Sequence, residues 1–129
     1  MMTIPTGYFD YWIQNIDSYS RLIADPHELE RAWINKDKRV TSAYDFDELM
    51  EQLLDDLRVE EHVDQFKDSL QRMGALEAVT AFAAELTDLD QTVKGRPQLR
   101  DPQVLLRSPE WENLRRTAEG VVGALSGAQ

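Results

Sequence analysis

Few side chains in this sequence are suited to proton transfer or metal binding. His27 and His62 are the only histidines, and there is no cysteine. Thiolate catalysis, disulfide bridging and cysteine-ligated zinc or iron–sulfur chemistry are therefore excluded. Neither histidine lies in His-Glu-x-x-His or Glu-x-x-His, the spacings that place two ligands on one helix face. His27 follows Asp25-Pro26 and reads as a surface residue. His62 stands among Glu60, Glu61 and Asp64, a set able to hold a divalent cation, but so many acids produce such a set by chance. Asp55-Asp56 looks like part of a magnesium motif without the second acidic motif that would complete it. The six glycines, at 7, 74, 95, 120, 123 and 127, form neither a phosphate-cradling loop nor a nucleophile elbow. The expectation is a protein that is not an enzyme and carries no metal and no cofactor.

The acids are informative through their position. Asp and Glu number 24 against 14 Lys and Arg, a net charge of -10. Residues 45–68 hold ten of those acids against Arg58 and Lys67, a net of -8, and each flank is close to neutral. Such a surface repels nucleic-acid phosphates and anionic membranes, so neither is an expected partner. Within the window, Asp47 or Glu48, Glu51 and Asp55 recur at three and four, as do Glu61, Asp64 and Asp68. This spacing gathers side chains on one face of a helix. Like charges so placed repel by a few tenths of a kcal/mol per pair (~0.2–0.5), so they do not serve isolated-helix stability. Asp47, Glu48, Glu51, Asp55, Glu60, Glu61, Asp64 and Asp68 are the candidate partner-binding residues, and a hairpin of two helices would merge them into one acidic wall. A face that is merely solvated is the plainer alternative.

The elements that must carry these residues are helical. Short polar residues precede proline at Asp25-Pro26, Asp101-Pro102 and Ser108-Pro109, and Asp45 precedes Glu48 by three; both patterns mark helix starts. Glu28 is placed to complete a capping box with Asp25. Apolar residues then recur at helical spacing: Trp12, Ile16, Tyr19 and Ile23; Leu29, Ala32 and Trp33; Phe46, Leu49, Met50, Leu53 and Leu57; Val59, Val63, Phe66, Leu70 and Met73; Leu76 to Leu89; and Trp111 to Leu125. Residues 35–41 read as a polar loop, Gly74 as a stop, and Gly95 with Pro97 as a break before a short turn over residues 103–107. No alternating β-branched run or hairpin dipeptide occurs. The expected fold is all-α: one compact domain over residues 1–129, with five or six helices as antiparallel, bundle-like neighbours and a frayed tail at 126–129. Tyr8 and Tyr11 fall partly outside the first apolar stripe and could anchor an interface, although cover for the core is the simpler role. Met1 to Ile23 lacks the charged and apolar regions of a signal peptide, and no apolar run is long enough to cross a membrane. A cytoplasmic location is expected.

With its size, its acidic window and residues 101–116 (Asp-Pro-Gln-Val-Leu-Leu-Arg-Ser-Pro-Glu-Trp-Glu-Asn-Leu-Arg-Arg), the chain resembles the small, acidic, cysteine-free immunity proteins that bacteria pair with secreted or contact-delivered toxins. These share no universal motif, so no residue role carries over. The resemblance implies neutralisation of a cognate toxin, such as a basic nuclease, by direct binding. The alternatives are a non-catalytic regulatory or adaptor domain, such as a homodimer, and a metal-dependent hydrolase built on His62.

Overall fold

In the computed structural model, which describes residues 6–127, the marked helix starts are closed by the side chains that mark them. Asp45 accepts the Glu48 amide at 2.8 Å, Asp101 the Gln103 amide at 2.9 Å, and the Ser108 hydroxyl the Trp111 amide at 3.1 Å. Each satisfies a donor that a first helical turn leaves free. Asp25 accepts the His27 amide at 2.9 Å. Glu28 does not complete a capping box there; it turns to Arg31.

In chain order the elements are α1 (Thr6–Ala24), a π-type turn (Glu30–Ile34), α2 (Phe46–Met50) continuing into a second π-type turn (Glu51–Asp56), α3 (Val59–Gln65), α4 (Lys67–Arg72), α5 (Leu76–Gly95), a 3-10 turn (Pro97–Arg100), α6 (Pro102–Leu105) and α7 (Pro109–Gly127). The fold is all-α, with no strand among the described residues. The α-helical pieces outnumber the five or six expected. Phe66 (φ -98°, ψ 18°) leaves helical geometry and divides the expected fourth helix into α3 and α4, while Asp101 caps the expected turn near 103–107 as α6. Gly74 ends α4 with φ 74°, the left-handed conformation glycine adopts most readily.

The buried side chains form one continuous cluster. Leu86 and Leu89 of α5, Leu114 and Val121 of α7, and Trp12 and Ile16 of α1 are all at most 2% exposed, each stabilising the fold by roughly 1.5–3 kcal/mol through burial. An Arg96–Glu110 ion pair joins the end of α5 to the start of α7, so these sequence neighbours run antiparallel, as expected. By contrast, α1 lies along α7 with their C-terminal ends together, where Arg21 donates to the Ser126 hydroxyl at 3.3 Å. That contact also corrects the expected fraying at Ser126 and Gly127, which belong to α7; residues 128 and 129 lie outside the described range. Trp33 stacks edgewise on Trp111 with centroids 5.7 Å apart, fixing the first π-type turn to α7. Among the described residues no helix is long and apolar enough to cross a membrane.

Candidate functional site

The eight candidate acids all sit on α2, its π-type continuation, α3 and α4, and all but the half-buried Glu48 are exposed. They do not form one wall of a helix hairpin. The chain turns at Leu57 and Arg58, after which α3 and α4 pack on α5 instead of folding back on α2. An ion pair from Asp47 to Arg100 holds the start of α2 near the far end of α5, and the Thr87 hydroxyl donates to Glu60 at 2.8 Å midway along that helix. The acids thus form a strip of two stretches that meet at this corner: Glu60, Glu61, Asp64 and Asp68 on α3 and α4, which pack on α5, and Asp47, Glu48, Glu51 and Asp55 on α2 and its continuation, tied by Asp47 to Arg100 just past the end of α5.

Not every acid in the strip is free. Asp47 is taken by Arg100, Glu61 faces Arg58 at 3.5 Å, and Glu48 accepts the Gln52 side-chain amide at 3.1 Å. Among the described residues, no Lys, Arg or His lies within ion-pair distance of Glu51, Asp55, Asp64 or Asp68. On α7, by contrast, Arg115 pairs with both Glu112 and Glu119.

The corner between the two acidic stretches has a specific construction. Arg58 adopts a left-handed conformation (φ 47°, ψ 53°) unusual for a residue with a Cβ. The Leu57 carbonyl before it accepts two ring N–H groups, the Trp12 indole at 2.9 Å and His62 Nδ1 at 2.8 Å. A carbonyl cannot donate, so Nδ1 carries the proton in this contact. His62 thus does not face its acidic neighbours in sequence. It is 7% exposed and stands edge-on to Tyr8 at 5.2 Å and Trp12 at 6.0 Å. Restarting the helix after a left-handed Arg58 points Val59, His62, Phe66 and Leu70 inward, so His62 takes the core position that the periodicity assigns to Val63. Among the described residues, no three His, Asp or Glu side chains converge as metal ligands would.

Beside this corner, Tyr8 packs on His62 and Phe66, and Tyr11 stands 6.2 Å from Tyr8 with 57% of its surface exposed. Further along α1, the half-buried Tyr19 donates to Gln52. Burial raises the Tyr19 hydroxyl pKa above the usual tyrosine value, and the charge of Asp56 adds to that, followed by Tyr11 and Glu48.

The polar loop hides a second feature. Ala32 of the first π-type turn and the loop from Lys36 to Tyr44 line a half-open cavity of about 430 Å³. Two lysines close to Thr41, Ser42 and Tyr44 stand together in the sequence, but nothing in their spacing indicates a pocket. Comparison with known proteins adds no relative: no family model, curated protein or solved structure matches the chain.

Proposed function

We propose that the protein is an inhibitor of the immunity type, which neutralises a basic protein effector by binding it through the acidic strip. The observation that carries this reading is that Glu51, Asp55, Asp64 and Asp68 are exposed with no basic partner among the described residues, in a protein that also exposes the ring of Tyr11. Acids serving only solubility are usually interspersed with bases. Screened surface charges contribute little affinity, so the carboxylates steer encounter while Tyr11 and Tyr8 supply an amphipathic anchor.

The test starts from the neighbouring gene: an adjoining toxin gene supplies the effector, and its absence counts against the inhibitor reading. The unaltered chain should abolish the effector's activity at equimolar amounts. Replacing Glu51, Asp55, Glu61 and Asp64 with lysine should slow association by about tenfold or more and remove most of its salt dependence. Absence of inhibition would sink the inhibitor reading, and unchanged association kinetics would sink its electrostatic part. A concentration-dependent dimer in sedimentation would favour an adaptor domain instead.

A further inference from the structure

The cavity beside Lys36 and Lys38 lies apart from the acidic strip and has a different chemistry. It is lined by Ala32 and Tyr44 together with Lys36, Lys38, Thr41 and Ser42, and by Asp37. The volume of about 430 Å³ falls within the range of about 300–1,000 Å³ typical of small-molecule sites.

The polar groups of the lining are arranged as donors. The Thr41 hydroxyl already accepts the Ala43 amide at 3.1 Å, and the Ser42 hydroxyl accepts the Gln52 side-chain amide at 3.3 Å. Each hydroxyl has accepted one bond from within the protein and keeps its proton free to donate. Gln52 cannot reverse this assignment, because Tyr19 donates to its oxygen and its nitrogen also serves Glu48. The one acid in the lining, Asp37, is already neutralised: Arg39 binds it at 3.0 Å and Arg31 at 3.3 Å. Lys36 and Lys38 have no carboxylate within ion-pair distance among the described residues.

The loop is also held in shape without a ligand. The buried Trp33 indole donates to the Ala43 carbonyl at 2.8 Å, and the Val40 amide to Asp37 at 3.3 Å. Lys36 is kept at φ 60°, a conformation unfavourable for any residue with a Cβ. Tyr44 stands at the mouth of the cavity with 63% of its surface exposed.

We propose that this cavity binds a small organic phosphate, its phosphoryl oxygens held by the ammonium groups of Lys36 and Lys38 and the hydroxyls of Thr41 and Ser42, and its apolar body resting against Ala32 and the Tyr44 ring. Two ammonium groups and two hydroxyls lining one pocket suit the several acceptor oxygens of a phosphoryl group better than the two of a carboxylate. Lysine serves such a group as a point charge.

The test is a titration of the full chain, followed by backbone amide NMR at low salt, with phenyl phosphate, phenol and inorganic phosphate as probes. Saturable shifts are expected across residues 32–44, with phenyl phosphate binding at least about tenfold tighter than phenol or inorganic phosphate. Replacing both lysines (Lys36→Gln with Lys38→Gln) should weaken phenyl phosphate by about tenfold or more, the equivalent of one lost charge-assisted hydrogen bond. Both side chains are exposed, so the variant should keep its helical circular dichroism. Thr41→Val and Ser42→Ala provide independent losses of a donor. The proposal is overturned by any of three results: no saturable shift in the loop, equal affinity for phenol and phenyl phosphate, or shifts spread equally over Arg100, Arg107 and Arg116.

Discussion

The Leu57 carbonyl is the most heavily used single atom at the corner of the acidic strip, because two ring donors from distant parts of the chain meet on it. Losing either donor leaves the carbonyl satisfied, while losing both leaves a buried acceptor unpaired. Trp12→Phe and His62→Phe should therefore each lower stability by about 1–3 kcal/mol, and the double variant should lose about 1 kcal/mol more than their sum. Urea unfolding of the four proteins measures this, and strict additivity would show that the carbonyl does not depend on the pair. Single carboxylates also set a pH response. A hydrogen bond from the Arg39 side chain holds Asp37 well below the usual carboxylate range, and one from Arg115 lowers Glu112. A folded-state pKa below the unfolded one contributes stability that is present above the unfolded value and lost as pH falls through the folded one. Thermal midpoints should thus decline as pH drops below about 4. Asp37→Asn should flatten part of that decline. At the alkaline end the sign reverses: the raised Tyr19 pKa contributes stability that fades above about pH 10.

At the scale of elements, two of the three left-handed residues, Gly74 and Arg58, follow helical stretches with opposite side-chain chemistry. Gly74 suits its conformation, and a Cβ added there would meet no atom within 4 Å, so Gly74→Ala tests the backbone alone and should cost about 1 kcal/mol. Arg58 occupies the position after the second π-type turn where glycine is favoured. Arg58→Gly should stabilise the protein by up to about 1 kcal/mol, reduced by the loss of its exposed contact with Glu61. Arg58→Val, which adds branching at Cβ, should destabilise it. Calorimetry of the three variants should give opposite signs for the two glycine exchanges.

For the whole molecule, the acidic strip concentrates repulsion that the two bases beside it, Arg58 and Arg100, offset only in part. Raising salt from about 0.01 to 0.15 M shortens the screening length from about 30 to 8 Å and should raise the melting temperature. Neutralising Glu51, Asp55, Asp64 and Asp68 to their amides should raise the low-salt melting temperature and flatten its salt dependence. A melting temperature that falls with salt in the unaltered protein would mean that ion pairs such as those of Arg115 outweigh the strip.

The sequence by itself determined the helical class, the capped starts at Asp45, Asp101 and Ser108, the stop at Gly74 and nearly every buried stripe. These depend on contacts within one turn or on a period of 3.6 residues, both written locally in the chain. It also located the acids, since charge is a property of residue type. Only the tertiary structure decided that the acids fall on two stretches and not on one wall, because that depends on how the chain turns at Arg58 and on which helix α3 meets. The same holds for His62: positions 62 and 63 both fit a stripe with Val59, Phe66 and Leu70, and only the packing against Trp12 and Tyr8 decides which of the two is buried. The cavity under Tyr44 was illegible for a related reason. Its shape comes from Trp33 reaching Ala43 and from Gln52, fixed by Tyr19, reaching Ser42, which are contacts between segments that folding alone brings together.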